Sequence, residues 1–319
     1  VIKIDSTRSR RDVGRGGAFS GMFFNNNPDK LSLALNMQHP QAAEIVKRLV
    51  AVSDVVINNF TPDVLPRWGL SYQELVQVNP QIISASMPAM GSSGPRRHYK
   101  GTGNYFTSLA GFDYMVGYPG AEEVDVLNWA ISDSGPNPFQ TLTALMAALH
   151  HRNQTGAGQA IEVRQHEAVV NFMGPVFMDQ TVNGPSETRT GSRAAHAAPH
   201  GIFRCAGEDQ WCAISVLDDL QWRAFCTATG RDHWADDGRF GTLLARKRHE
   251  DELDGLVTAW TVQRTPQEVM RRLQEAGVAA GVVQDVQDLL ERDPQMAARG
   301  FYKELDRPDE GRLPVEGVG

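Results

Sequence analysis

The segment between Lys30 and Met87 leaves the chain few architectures. "KLSLALNM", "DVVINNF" and "QIISASM" are apolar runs of strand length. Between them stand "HPQAAEIVKRLVAVSD" and then the pair "DVLPRWGL" and "SYQELVQVNP", with helical spacing and helix-start signals. In the first helix Ala42, Ile45, Val46, Leu49 and Val50 form one stripe. Strand, helix, strand, helix, strand at such lengths requires crossover connections, which build a parallel sheet with helices on its faces. Ligands of such sheets bind beyond the carboxyl ends of the strands. That rule singles out "INNFTPD" and "SMPAMGSSGP".

Two more strands extend the pattern: "VIKID" at the start, and "AIEV" after a long helix from about Pro138 to Arg152 that stops at "TGAGQ". This helix is apolar on most faces and is expected to be buried. A second apolar helix is expected from Glu167 to about Val182, ending at Asn183-Gly184. From Ile202 the texture changes. "WCAISV" and "VAAGVVQ" read as strands, and "DLQWRAFCTATG", "EDELDGLVTAWTVQ", "TPQEVMRRLQEAG" and "DVQDLLERD" as helices. The expected organisation is an α/β large domain over residues 1–184, a linker or active-site loop over 185–201, a smaller α+β domain over 202–299, and a strand within 300–319 returning toward the large domain. The chain opens on a strand with no element ahead of it and closes on "RLPVEGVG" without a helix. It is therefore expected to lack segments at both ends.

Composition narrows the function. A net charge of −7 argues against general nucleic-acid binding, which leaves a basic stripe or domain. No run of 18 apolar residues and no signal-peptide pattern occur, so the expected compartment is the cytoplasm, with no membrane partner. Cys205, Cys212 and Cys226 lack the paired C-x-x-C spacing of a zinc site and read as buried thiols; no metal is expected. Asp133 stands between "VLNWAI" and Ser134-Gly135-Pro136, ahead of the long helix. An Asp in that place commonly caps a helix or forms an Asx turn. Nothing in the local sequence marks it as a nucleophile.

Taken together, "VIKID", "DVVINNFTPDVLPRWGLSYQELVQVNPQIISASM", "ALMAALHHRNQTGAGQAIEV" and "APHGIFRCAGEDQWCAISV" resemble the class III CoA-transferases, the CaiB/BaiF family, over nearly the whole chain. Three family patterns occur in order: E-N-F-x-P-G at Asn58–Asp63, G-L-x-Y-x-x-L-x-x-x-N-P at Gly69–Pro80, and A-L-x-x-R-x-x-T-G-x-G-Q at Ala148–Gln159. The resemblance implies a Rossmann-like large domain with a smaller α+β domain and an interlocked homodimer. It implies a transfer of CoA from an acyl-CoA to a carboxylic acid through a covalent aspartyl-CoA, with Asp133 as nucleophile and no tightly bound cofactor. CoA carries a pyrophosphate and a 3′-phosphate, which call for basic side chains and free backbone amides. The expected CoA-binding set is Arg8, Arg11, Lys30, Asn59, Phe60, Met90, Gly91, Arg96, Arg97 and Lys100, with Arg10 and Arg15 in the same arginine-rich loop. Asn58 and Thr61 replace the family's glutamate and the basic residue after its E-N-F. Oxyanion donors are expected from the turn Ser132–Gly135 and from the loop Gly191–Gly201, where His196 and His200 read as exposed.

Two other readings compete. The racemases that resemble this family carry G-H-D-x-N-Y, whereas this chain has "GTGNY", with Thr102 in place of the histidine base. A threonine hydroxyl is no base near neutral pH, which argues against proton exchange at carbon. A CoA-binding subunit without catalysis is the reading from another class.

Overall fold

Strand β4 (Ile83–Ser86) lies between β3 (Val55–Asn58) and β5 (Ala160–Glu162) in a three-stranded parallel sheet, with Val55 opposite Ile83 and Ser84 opposite Ala160. The computed structural model describes residues 1–6, 26–120, 131–184, 189–307 and 311–317. The chain divides into two units: residues 1–117 with 121–188, and residues 118–120 with 189–319. In the first unit a second parallel pair joins β1 (Ile2–Ser6) to β2 (Leu31–Leu35). Helix α1 (Ala42–Val50) buries Ala42, Val46 and Val50, as its stripe requires, and leaves Ile45 at the rim.

The short elements between β3 and β4 show why the N-P motif is there. After α2 (Val64–Arg67), helix α3 (Tyr72–Val78) opens with a capping box in which Glu74 accepts from the Ser71 N–H at 2.8 Å. It buries Leu75 and ends at Asn79, whose Nδ2 donates to the Val50 and Ser53 carbonyls at 3.1 and 3.0 Å. One amide thus ties the end of α3 to the last residue of α1 and to the turn that follows it.

The crossover from β4 to β5 carries α4 (Gly103–Leu109), α5 (Phe112–Met115), α6 (Ile131–Ser134) and α7 (Pro136–Thr155). Gly156 ends α7 with φ +73°, a left-handed cap that costs glycine little. Gly158 has a different role. A Cβ placed there would lie 2.0 Å from the Ile82 carbonyl oxygen, so the turn can approach β4 only because no side chain intervenes. Ser84 N then donates to Gln159 O at 2.9 Å, and β5 begins.

Two expectations are corrected in this unit. Helix α7 is not buried all round: Pro136, Asn137, Thr141 and Ala148 face inward, while Phe139, Leu142 and Met146 are 67%, 55% and 58% exposed. Among the described residues nothing covers that stripe. The single helix expected from Glu167 to Val182 is two, α8 (Gln165–Phe172) and α9 (Gly174–Asn183). The break falls before Pro175, which has no N–H to continue the ladder of the preceding helix.

The second unit holds an antiparallel sheet of β6 (His200–Arg204), β7 (Trp211–Ser215) and β8 (Ala279–Val282). Helices α10 (Asp219–Thr229), α11 (Leu243–Arg248), α12 (Glu250–Thr261) and α13 (Pro266–Glu275) accompany it, with α10, α12 and α13 contributing to a core of Phe203, Trp222, Phe225, Phe240, Leu253 and Leu273. The expected helix in "DVQDLLERD" is a π-helical turn, Asp288–Arg292, followed by α14 (Pro294–Arg299) and an antiparallel hairpin of β9 (Tyr302–Arg307) and β10 (Gly311–Glu316). Arg246 is fully buried in this core. It donates to the carbonyls of Ala198 and Phe240 and to Asp219 at 2.8, 3.1 and 3.0 Å, and its guanidinium lies 4.9 Å from the Trp222 ring centre.

All three cysteines are free and buried, as the sequence suggested. Burial pushes the Cys212 and Cys226 thiols up to about 12. Thiols raised in the folded state favour folding below their unfolded value and lose that contribution as pH climbs. Iodoacetamide at neutral pH is therefore expected to leave all three unmodified until denaturant is added, and unfolding midpoints are expected to fall between pH 9 and 12; native alkylation seen by mass spectrometry contradicts this. Gly158→Ala is expected to cost about 3 kcal/mol or more in urea unfolding, because a backbone carbonyl must move to admit the methyl.

Candidate active site

In the first unit the carboxyl ends of three parallel strands are stitched together by backbone hydrogen bonds. Met87 N donates to Asn58 O at 2.8 Å, and Val163 N to Ser86 O at 2.9 Å. Past β3, the Asn58 Oδ1 accepts from Phe60 N at 3.2 Å, a local turn that presents Asn59 and Phe60 to solvent. The Phe60 ring stands edge-on to Trp68, centroids 5.5 Å apart.

The loop past β4 is anchored at two places. At one, the Asp63 carboxylate meets Arg97 at 3.8 Å and His98 Nδ1 at 3.1 Å, joining it to the turn after β3. At the other, Gly91 (φ +88°) is buried so closely on the Arg164 side chain that an added Cβ would come within 2.7 Å of it. Arg164 is itself held by Glu162 and Glu167 at 3.0 and 2.9 Å. Glu162 also accepts from Ser92 N at 3.2 Å. Burial, which alone would raise the Glu162 carboxyl, is outweighed by these hydrogen bonds, and the group is held below its usual range. Of the other expected CoA contacts, Met90 is half-buried, and Arg96 and Lys100 are exposed. Lys30 is engaged within its own turn, donating to Asn26 O and to Asn27 Oδ1. Arg8, Arg10, Arg11 and Arg15 lie outside the described residues.

Asp133 is the third residue of α6, and its side chain is exposed. It accepts from the Oγ of Ser132, a fully buried residue, at 3.2 Å. The N-cap of α7 is Gly135, without a side-chain cap bond, so Asp133 does not cap the long helix. The Gly135 N–H is committed to Ile131 O at 2.9 Å. Since Pro136 and Pro138 have no N–H, Asn137 is the only donor among the first three residues of α7. Helix α6 packs against α4, α7 and α8. Thr102 takes the N-cap position of α4, again without a side-chain cap bond.

Asn137 and Gln165 belong to this site and escape the sequence reading. Asn137 Nδ2 donates to Gln165 Oε1 at 3.2 Å, and Gln165 Nε2 donates to Met87 O at 2.7 Å. Gln165 stands just past β5. The strand-end rule that singled out the loops after β3 and β4 would have found it had it been applied to the third strand.

In the second unit the segment before β6 is strapped down. Arg193 pairs with Asp251 and Asp254 at 2.7 and 2.6 Å, Lys247 donates to Ala194 O at 2.9 Å, and His200 Nδ1 lies 2.6 Å from Ser192 O. His196 is exposed as expected, whereas His200 is half-buried. A recess of about 650 Å³ runs along α13, but Gln267, Glu268, Arg271, Gln274 and Glu275 line it as a solvated surface far in character from a catalytic cleft. Among the described residues no cluster of His, Cys, Asp or Glu is disposed to hold a metal, and no helix is long and apolar enough to cross a membrane.

A family model described as CoA-transferase family III matches residues 1–319. The chain is 32% identical over 335 aligned residues to a probable CoA-transferase of Mycobacterium tuberculosis, an alignment covering 99% of this chain and 40% of that protein. It is 31% identical over 290 residues to succinyl-CoA–D-citramalate CoA-transferase of Chloroflexus aurantiacus, covering 91% and 71%. Among solved structures, a CaiB/BaiF family protein from Brucella suis matches with a TM-score of 0.84 at 26% identity, covering 100% of this chain and 88% of that one. The chain thus spans less than half the length of the mycobacterial relative. On the match along its full length, the chain belongs to CoA-transferase family III.

Proposed function

We propose that the protein moves CoA from an acyl-CoA thioester to a carboxylic acid, with Asp133 as the nucleophile. The observation that carries this reading is the state of Asp133: an exposed carboxylate three residues before a long helix, spared from capping it, in the same unit as the stitched strand ends. Its oxygen attacks the thioester carbonyl, and CoA leaves as the thiolate, giving a mixed anhydride. The thiolate then attacks the aspartyl carbonyl, releasing the donor acid as its carboxylate and leaving an aspartyl-CoA thioester. The acceptor carboxylate attacks that thioester and again frees the thiolate. Attack of the thiolate on the acceptor's carbonyl yields the new acyl-CoA and restores Asp133. Every step exchanges one substituent on an acyl carbon, with no net change of protons or electrons.

The phosphates of CoA are assigned to Arg96, Arg97 and Lys100 on the Met90–Lys100 loop, with Arg8, Arg11 and Lys30, and its adenine end to Asn59 and Phe60. The Asn137 N–H is the oxyanion donor that the proline pattern of α7 leaves nearest the nucleophile in sequence, at the helix end where negative charge is stabilised. Relatives named for succinyl-CoA with citramalate and with malate make succinyl-CoA the first donor to test. We read β1–β2 and β3–β4–β5 as parts of one Rossmann-like sheet. A second copy of the chain is the proposed cover for Phe139, Leu142 and Met146, since a stripe of this exposure suits an obligate partner.

Incubating the full-length protein with succinyl-CoA and then hydroxylamine is expected to place a hydroxamate on Asp133, detected by peptide mass spectrometry. Asp133→Ala is expected to abolish transfer while leaving CoA binding within about threefold. Retention of most activity by that variant would falsify the assignment. Phe139→Glu with Met146→Glu is expected to convert a two-chain species into a one-chain species in sedimentation velocity; an unchanged mass rejects the proposed cover.

A further inference from the structure

The Gln165 side chain bridges the loop past β4 and the start of α7. Its Nε2 donates to Met87 O at 2.7 Å, and its backbone N–H donates to Pro88 O at 3.1 Å. Its Oε1 accepts from Asn137, four residues after Asp133, at 3.2 Å. The Met87 carbonyl can only accept, so the end of the Gln165 amide that faces it must be the NH2 group. That choice turns Oε1 toward Asn137, which must answer with its Nδ2. Asn137 is 4% exposed, and its Oδ1 is consequently left buried without a hydrogen-bond partner among the described residues. A buried acceptor left orphaned is unfavourable, and it marks a side chain whose orientation is imposed from outside.

We infer that Gln165 is a positioning residue, holding the first turn of α7 at a set distance from the loop past β4 so that Asp133 meets a thioester whose CoA lies on that loop. The inference rests on Asp133 being the nucleophile. Gln165 touches no substrate in this scheme. It acts through Asn137 on one side and Met87 on the other, and a misplacement of about 1 Å at a reacting centre is enough to slow a reaction ~100-fold.

Three variants of the full-length protein test it. Gln165→Glu keeps length and the acceptor for Asn137 but sets an oxygen against the Met87 carbonyl, Gln165→Met keeps length and removes both bonds, and Asn137→Ala removes the other end. In single-turnover trapping with succinyl-CoA and hydroxylamine, each is expected to label Asp133 ~10- to 100-fold more slowly, with the KM for acyl-CoA moving less than about threefold. Because both residues act through one relay, the Gln165→Met, Asn137→Ala double variant is expected to be no slower than the worse single variant by more than about threefold. Labelling rates within about twofold of the parent overturn the inference, as does a loss that multiplies in the double variant or that is matched by an equal rise in KM. The parent protein separates the two levels: a parent labelled at Asp133 with unaffected variants sinks only the role of Gln165, whereas an unlabelled parent sinks the nucleophile and this role with it.

Discussion

The approach of Gly158 to the Ile82 carbonyl is the contact on which the rest of the first unit depends, because it decides where β5 begins. With β5 starting at Ala160, its carboxyl end falls at Glu162, level with Ser86 at the end of β4. Arg164 and Gln165 then emerge where the loop past β4 can reach them. Arg164 bears on Gly91, and Gln165 takes the Met87 carbonyl. A shift of one residue would exchange the faces of the strand and turn both side chains away. The geometry of the candidate site is thus inherited from a backbone packing event one strand length away.

Charge is used in two different ways in the two units. In the first, the charges around the strand ends lie at or near the surface: Arg97–Asp63 ties the loop past β4 to the turn after β3, and Glu162, paired with Arg164, takes the Ser92 N–H of that loop. Pairs of that kind add little to stability, and their value is geometric. In the second, Arg246 is sealed in an aromatic core, where its cost of desolvation is met by two carbonyls, one carboxylate and the face of Trp222. Burial lowers its pKa from the usual arginine value. One of its carbonyl partners, Ala198, belongs to the segment that leads into β6, so the core and the strap over it form one construction.

The alternation of strands and helices was legible because each element solves a local problem that leaves a local mark. The capping box at Ser71–Glu74, the left-handed Gly156 and the stripe of α1 are all complete within a few residues. The burial of α7 was misjudged for the opposite reason: apolar residues announce that they will be covered, not by what. Phe139, Leu142 and Met146 wait on something that the described residues of this chain do not supply. The helix break before Pro175 was available locally and was overridden by apolar periodicity on both sides. Asn137 and Gln165 are 28 residues apart, and neither type is rare enough to draw notice. Their pairing exists only once β5 has placed the second against the loop of β4. Asp133 is reached only through resemblance, since an Asp before Ser-Gly-Pro reads locally as a cap or Asx turn.

Helix α7 has 20 residues and therefore a length of ~30 Å. The Thr155–Gln159 motif sits at one end of that rod and the segment holding Asp133 adjoins the other. The most recognisable string in the sequence can thus be a foundation rather than a tool: it would do its work without meeting the molecule being transformed, by fixing the far end of a lever. A substitution there would reach the site through the framework alone, by moving where α7 ends and where β5 begins.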